Sequence, residues 1–227
     1  MKSKLKKYKK FLWILVIVIG ISLLLFPTVS SFVNRQKSNN EIDSYNKAVS
    51  ELTDDEKNNI EQNAEKYNQT GDSNYYNALN LGEIISYIEI PKINVYLPIY
   101  NDTSEKTLSV AIGHLEKTSL PIGGKGTHCV LTGHSGLTTN KLFTDLDKLS
   151  VGDTFTLHTL DEKLVYKVTT IEIILPEDVY YNCELDKDQC TLVTCTPIGV
   201  NTHRLCVRGE RVLNNEDYEG EKNGNYF

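Results

Sequence analysis

A cysteine and an arginine lie nine residues apart in two short apolar runs of this chain. Cys195 ends the run TLVTC, Arg204 lies near the start of THRLCV, and the turn between them contains Pro197 and Gly199. If the two runs pair as an antiparallel hairpin, residues equidistant from the turn face each other, so the thiol and the guanidinium become neighbours. A thiol beside a guanidinium suits a nucleophile next to a group that stabilises an oxyanion.

A histidine completes this candidate site. His134 follows the apolar run CVL and lies between Gly133 and Gly136, which allow backbone and substrate to approach closely. Beside a cysteine nucleophile, a histidine can act as the acid for a departing amine. We therefore predict that His134, Cys195 and Arg204 are the catalytic residues.

Two nearby residues are alternatives for these roles. His203 is adjacent to Arg204 in the sequence and should face the opposite side of a regular strand. Arg208 shares the face of Arg204, but the hairpin register pairs it with Thr191, away from the thiol. The spacing therefore favours Arg204 as the arginine of the site.

Two long motifs resemble the sortase family, and most of all its class C, pilin-polymerising members. They are HLEKTSLPIGGKGTHCVLTGHSGL at 114–137 and TLVTCTPIGVNTHRLCVRG at 191–209. The resemblance implies a mainly β fold, a closed eight-stranded barrel with short helices. It also implies a cysteine transpeptidase of Gram-positive bacteria, without a cofactor or metal, that cleaves LPXTG-like sorting signals through a thioester on Cys195. The implied acceptor is an amine, a pilin lysine in class C and a peptidoglycan precursor elsewhere in the family.

Some features depart from the class C pattern. Class C members typically carry a lid before the barrel with an Asp-Pro-aromatic anchor in the active site, whereas none of the six prolines here follows an aspartate. Tyr75 and Tyr76 are the aromatic residues of that region. Ser135 and Ile198 replace the Arg and Tyr common in this class, and residues 214–227 are polar rather than a second anchor. We therefore expect no proline-anchored lid and keep peptidoglycan attachment as the alternative to pilus assembly.

The N-terminal residues predict a membrane anchor. Six lysines precede a charge-free stretch over residues 11–33, which as a helix would span ~34 Å, enough for a hydrocarbon core of about 30 Å. The lysines predict a cytoplasmic N-terminus and an extracellular catalytic domain on a single-pass protein of the cell membrane. A cleaved signal peptide is the alternative, but no clean small-x-small cleavage site follows the apolar core.

The sequence divides into five parts. They are a basic cytoplasmic tail (1–10), a transmembrane signal-anchor (11–33), a helical arm or linker (34–80), a catalytic barrel (81–215) and a polar tail (216–227). Short strand-like runs with few helices independently indicate a barrel or sandwich for the fourth part. Within the arm, residues 34–40 are expected to be a polar linker, and Thr53 with Glu56 predicts the start of a helix.

Charge and cysteine content limit the other functions. All 30 acidic residues follow the anchor, so the exported part is acidic and is not expected to bind nucleic acid. Cys183 and Cys190 flank a polar loop and could form a disulfide, whereas Cys129 and Cys206 lie in apolar runs and are expected to be buried thiols. A zinc site formed by His128 with Cys129, Cys183 and Cys190 is another possibility, but these cysteines lack the close spacing typical of such sites.

Two other function classes fit part of the pattern. The first is a non-enzymatic adhesin or wall-binding ectodomain, against which the complete set of His134, Cys195 and Arg204 argues. The second is a cysteine hydrolase that uses water as the acceptor. The residue types do not separate hydrolysis from transfer to an amine, because both reactions pass through the same acyl-enzyme.

Overall fold

A computed structural model of the chain describes residues 2–137, 139–178 and 186–212, and only the backbone of residues 2–10. The helices are α1 (Lys2–Glu51), α2 (Asp54–Thr70) and α3 (Glu105–Leu108). The strands are β1 (Ser86–Ile90), β2 (Val95–Tyr100), β3 (Ile112–His114), β4 (Thr127–Thr132), β5 (Thr154–Thr159), β6 (Glu162–Ile174), β7 (Asp188–Thr196) and β8 (His203–Arg211). Short 3-10 turns occur at Ser73–Tyr75, Pro91–Ile93, Leu146–Lys148 and Pro176–Asp178. The predicted tail 216–227 and Cys183 lie outside the described residues.

The eight strands form one closed barrel, in the order β1-β2-β3-β4-β7-β8-β6-β5. The predicted mainly β, eight-stranded barrel is thereby confirmed. Two of the strand pairs, β2 with β3 and β4 with β7, are parallel, and the other pairs are antiparallel. The parallel pair β4–β7 is the one that positions the candidate site, because His134 follows β4 and Cys195 lies near the end of β7.

Residues on β4, β7 and β8 are buried on both faces of the barrel wall. One face of β7, including Leu192, packs in the main core with Leu205 and Val207 of β8. The other face, which we call the outer face, forms a separate cluster of Val130, Val193 and Cys206, against which Leu115 and Ile174 pack. Burial on both faces explains why these strands read as continuous apolar runs rather than as an alternating pattern.

Helix α1 packs its second half against the barrel. Ile42, Tyr45 and Val49 recur at helical spacing, are almost completely buried and form a cluster with Ile84. The Tyr45 hydroxyl donates to the carbonyl of Ile85 at 3.1 Å. This half of the helix is therefore part of the folded domain.

The polar residues 34–40 are helical, where the sequence suggested a linker. Ser38 is buried on the same face as Ile42, and Lys37 pairs with Glu41 at 3.5 Å one turn later. Ion pairs at this spacing stabilise a helix, and tertiary contacts override the low helix propensity of Ser and Asn. Helix α1 thus runs unbroken from its charge-free stretch into the contacts with the barrel.

Helix α2 begins where the sequence predicts. Thr53 accepts a hydrogen bond from the backbone of Glu56 through its side chain, and Glu56 reaches back to the backbone N–H of Thr53 at 2.8 Å. The helix ends at Gly71, whose left-handed φ of 67° suits glycine. Ala64 and Tyr67 are buried in the barrel core, so α2 is anchored along one face.

A buried histidine makes the stability of the barrel depend on pH. His114 hydrogen-bonds with Asn101 at 3.1 Å and with the carbonyl of Ser119 at 3.0 Å, and burial lowers the pKa of its imidazole to about 4. In the unfolded chain the His114 imidazole is therefore protonated as the pH falls below about 6.5, whereas in the folded chain it is protonated only near pH 4. Stability from this group is complete above pH 6.5 and is lost as the pH falls through this window.

Because of His114, we expect the free energy of unfolding to be about 3 kcal/mol lower at pH 4 than at pH 7. Denaturant titrations of wild type and His114→Gln at several pH values would measure it. The variant should be less stable at pH 7 but should have a shallower dependence on pH. Parallel pH curves for the two proteins would contradict the assignment, because all other titrating groups are common to both.

Candidate active site

The β7–β8 hairpin brings the predicted cysteine and arginine together. Cys195 is paired with Arg204 across the antiparallel ladder, and Thr191 is paired with Arg208. Both pairings are those predicted from the midpoint of the turn, so the register is confirmed. Directly paired residues project on the same side of a sheet. The Cys195 thiol and the Arg204 side chain therefore share the outer face of the barrel.

Two side-chain hydrogen bonds tie the backbone around His134 to that around Cys195. The Thr194 hydroxyl donates to the carbonyl of Gly133 at 2.7 Å. The Ser135 hydroxyl donates to the carbonyl of Cys195 at 2.6 Å. The first bond joins the residues that precede Cys195 and His134, and the second joins the residue that follows His134 to Cys195 itself. The contact between the two chain segments thus continues two residues past the last ladder pair, Thr132 with Val193, and the backbone of His134 is held beside that of Cys195.

Two glycines flank His134 for steric reasons. A Cβ atom at position 133 would lie 2.7 Å from Cδ1 of Ile112 and 2.9 Å from Cδ2 of Phe143. Gly136 has a left-handed φ of 75°, and a Cβ there would overlap Ile198. The loop after His134 therefore rests directly on the turn of the β7–β8 hairpin, and a side chain at either glycine would push apart the elements that form the site.

A carboxylate that the sequence did not suggest lies at the His134 ring. Oε2 of Glu105 is 3.5 Å from Nε2 of His134, and the Glu105 side chain is 92% exposed. Glu105 is the first residue of α3, where Ser104 provides the N-cap. It was missed because α3 lies in no recognisable motif and only the tertiary fold brings it to His134. A contact this exposed contributes at most about 1 kcal/mol to stability.

The cysteines differ in accessibility. Cys195 is a partly exposed free thiol, whereas Cys129 and Cys190 are buried. Cys190 lies opposite Cys129 in the β4–β7 ladder, and burial raises the pKa of its thiol well above the usual range. Cys190 is not in a disulfide with any described residue, and its candidate partner Cys183 lies outside the described residues. Accessibility therefore favours Cys195 as the nucleophile.

The described residues also bear on the zinc alternative. Within 2–137, 139–178 and 186–212, no cluster of three or more His, Cys, Asp or Glu side chains is arranged to hold a metal ion. His128 instead hydrogen-bonds through Nε2 to the Thr191 hydroxyl at 2.7 Å. This histidine therefore stabilises the contact between β4 and β7 on the outer face.

Two of the three arginines of β8, Arg204 and Arg208, have different partners. Nη1 of Arg204 donates to the carbonyls of Asn201 and His203, both at 3.1 Å, which fixes the guanidinium beside the turn of the hairpin. Arg208 lies further along the strand, with its Nη2 atom 3.6 Å from Oε1 of Glu172 on β6. Arg204 is thus the arginine paired with the thiol, and Arg208 belongs to the contact between β8 and β6.

The aromatic residues before the barrel pack away from the candidate site. The Tyr76 hydroxyl donates to the carbonyl of Asn101 at 2.9 Å, and its ring lies 5.3 Å from that of Tyr67. The Lys66 ammonium lies over the Tyr75 ring at 5.3 Å, and both tyrosines pack against the barrel core. Both tyrosines thus have partners in the barrel and in α2, and the absence of a proline-anchored lid in residues 41–80 stays a prediction.

Replacing each tyrosine with alanine is therefore expected to change the alkylation rate of Cys195 less than about threefold. A displaceable lid would instead reduce the accessible fraction of the enzyme, and its loss would raise the rate. The rate would be followed by mass spectrometry with a small alkylating reagent, using the folded full-length protein. An increase of tenfold or more, about 1.4 kcal/mol of gating, would show that this segment does cover the site.

Comparison with known proteins identifies the family. A family model for the sortase domain matches residues 88–212, more than half of the chain. Sortase A of Bacillus anthracis is 28% identical over 135 residues, which cover 60% of this chain and 63% of that relative. The crystal structure of sortase C1 from Streptococcus agalactiae is 43% identical, with a TM-score of 0.73, and the match covers 77% of this chain and 99% of that one. Sortase C of Streptococcus pneumoniae, described in relation to its pilin substrate specificity, is 39% identical, with a TM-score of 0.73 and coverage of 77% and 97%. The chain therefore belongs to the sortase family of cysteine transpeptidases, and the solved structures that it resembles are class C sortases.

Proposed function

We propose that this chain is a membrane-anchored extracellular transpeptidase that joins LPXTG-like sorting signals to an amine through a thioester on Cys195. The observation that carries the proposal is the pairing of Cys195 with Arg204 on a strand whose backbone is also tied to that around His134. A nucleophile, an acid and an oxyanion donor thereby meet on one exposed part of the outer face. The shared position of these three groups supports the proposal, because acyl transfer needs a nucleophile, an acid and an oxyanion donor close together.

In the first half-reaction the sulfur of Cys195 attacks the carbonyl carbon of the threonine in the sorting signal. The thiol proton passes to His134, and Arg204 donates hydrogen bonds to the oxyanion of the tetrahedral intermediate. The carbon–nitrogen bond then breaks, and His134 returns the proton to the departing amine. The product is a thioester between Cys195 and the threonine carbonyl.

In the second half-reaction an amine attacks the thioester. The incoming nitrogen gives up a proton to His134, the carbon–sulfur bond breaks, and the Cys195 thiol is regenerated with that proton. We propose a pilin lysine as the acceptor, because the structural relatives are class C sortases and one is described by its pilin substrate specificity. Attachment to a peptidoglycan precursor is the alternative, and hydrolysis would replace the amine with water.

We also propose that residues 11–33 anchor the enzyme in the cell membrane. Helix α1 contains a segment with a mean hydropathy of 2.7, long and apolar enough to cross a membrane. The N-terminal lysines support a cytoplasmic N-terminus and an extracellular barrel. This topology would place the enzyme where surface proteins are exported.

Product analysis would test the proposed reaction. The full chain in lipid nanodiscs would be incubated with an LPXTG peptide and either a lysine-containing pilin peptide, a peptidoglycan-precursor amine or no amine. We expect cleavage in all three cases and an amide product predominantly with the pilin peptide. Amide formation only with the precursor would support wall attachment instead. Release of the free acid alone, at every amine concentration, would show a hydrolase and contradict the proposal.

A further inference from the structure

The catalytic end of the barrel lies at the end of the charge-free stretch of α1. The Asn34 side-chain amide donates to the carbonyl of Thr139 at 3.0 Å, which joins the helix to the loop that follows His134. Asn34 comes directly after Val33, the last residue of the charge-free stretch, and is only about 1.5 Å further along the helix. The loop after His134 is therefore held where α1 leaves its apolar part.

The helix face toward the barrel supports the same placement. Ser38 is buried and Asn34 half-buried at helical spacing, and Ser31 is half-buried one turn before them. The neighbouring Phe32 and Val33 are exposed. The barrel therefore begins to contact α1 at the level where apolar side chains still face outward. Because the helix is unbroken from there to Glu51, the barrel is attached without an intervening linker.

Exposed apolar residues lie on the same rim. Ile198 and Val200, in the turn of the β7–β8 hairpin, are 55% and 65% exposed. Ile198 contacts Gly136, and Thr139 is three residues further along the chain from that glycine, a reach of at most about 11 Å. The hairpin turn therefore projects beside the point where the loop meets α1.

Basic side chains accompany these apolar residues. Arg35 is exposed just beyond the charge-free stretch. The side chain of Lys141, in the loop after His134, is 83% exposed, with its ammonium 3.8 Å from a carboxylate oxygen of Asp145. The exported part is acidic overall, so cations here stand out against its general charge. Cations beside exposed aliphatic side chains suit the anionic headgroups and upper acyl chains of a lipid surface.

We propose that the β7–β8 turn (197–202) and the loop after His134 form a membrane-docking rim, which holds Cys195 at the headgroup level of the bilayer that α1 spans. This inference rests on the proposed membrane anchor. It adds that the catalytic domain lies on the membrane in a fixed orientation, with Val200 inserted among the lipids. A sorting signal presented next to a membrane span would then reach the thiol more readily than the same peptide in solution.

Tryptophan quenching in nanodiscs would test the docking. Trp13, the single tryptophan of the chain, lies in the proposed anchor. A Trp13→Phe background with Val200→Trp therefore reports on the rim alone. A matched control is Val151→Trp, because Val151 is 67% exposed and precedes Gly152, whose N–H bonds to Val168. Val168 is in turn paired with Gly209, which lies five residues, or roughly 17 Å, along β8 from Arg204. Position 151 is therefore far from the rim.

With lipids that carry a quencher in the upper acyl chain, we expect strong quenching at position 200 and little at position 151. Equal, weak quenching at both positions would overturn the docking. Quenching of Trp13 in the unsubstituted chain distinguishes an error in the proposed docking from an error in the proposed anchor. If Trp13 is quenched and the tryptophan at 200 is not, only the docking is wrong. If Trp13 is not quenched either, the anchor itself is wrong.

Substrate preference gives a second, independent readout. Val200→Ser is expected to slow cleavage of a sorting peptide that carries a membrane span in the same nanodisc by about three- to fivefold, the loss expected for one aliphatic side chain at an interface. Cleavage of the short soluble peptide should be unchanged. Equal losses with both substrates would show that the turn contacts the peptide directly, and would contradict the lipid-docking role.

Discussion

Replacement of Cys195 with alanine is expected to abolish cleavage of a sorting peptide and formation of the acyl-enzyme. The nucleophile is lost, and Cys129 and Cys190 are buried, away from the partly exposed position of Cys195. Initial rates with a fluorogenic LPXTG peptide would measure the effect. The rate should fall to that of the peptide in buffer.

Cys206→Ala is the matched control for this substitution. Cys206 lies on the same outer face, paired with Val193, but it is buried rather than accessible. Its loss removes a small apolar group from a packed cluster, so we expect lower stability with catalysis retained at 25 °C. Residual turnover by Cys195→Ala, together with inactivation by Cys206→Ala, would show that the wrong thiol has been assigned.

The second large effect is expected for Arg204→Lys. Lysine keeps the positive charge but loses the planar fork of donors, and in the observed register Arg204 lies directly opposite the thiol. Loss of one oxyanion donor typically lowers kcat by about 10²–10³, or ~2.7–4 kcal/mol of transition-state stabilisation. Because the interaction forms in the transition state, kcat should fall with little change in KM.

Arg208→Lys separates this role from a general need for positive charge. Arg208 is on the same strand and the same face, but it is paired with Thr191 and contacts Glu172. We expect its substitution to change kcat less than about fivefold, since lysine keeps the positive charge beside Glu172 and Arg208 is not paired with the thiol. Comparable kcat values for Arg204→Lys and wild type, or a larger loss for Arg208→Lys, would contradict the proposed oxyanion donor.

The hairpin was predictable from the sequence because its information is local. A short turn fixes which residues face each other, so the pairing of Cys195 with Arg204 follows from counting. The start of α2 was equally local, since Thr53 and Glu56 form a capping box within one turn of helix. The closed barrel came instead from the resemblance, because strand-like runs alone did not distinguish a barrel from a sandwich.

Features that depend on distant contacts were not predictable. The hydrogen bond of Ser135 with the Cys195 carbonyl and the approach of Glu105 to His134 join segments far apart in the chain. The continuity of α1 through 34–40 depends on burial of Ser38, which periodicity does not show because serine is polar. In each case the contact is set by the tertiary fold, which brings together residues whose neighbours in sequence give no sign of it.

The central claim is that a thioester forms on Cys195 and is resolved by an amine, and intact-mass spectrometry tests it most directly. The full chain would be mixed with an LPXTG peptide without an amine, quenched in acid and digested to locate the adduct. The protein should gain the mass of the peptide up to its threonine, the adduct should map to Cys195, and addition of a pilin lysine peptide should discharge it as an amide. An adduct on Cys190 or Cys206, or cleavage without a thioester on any cysteine, would contradict the account.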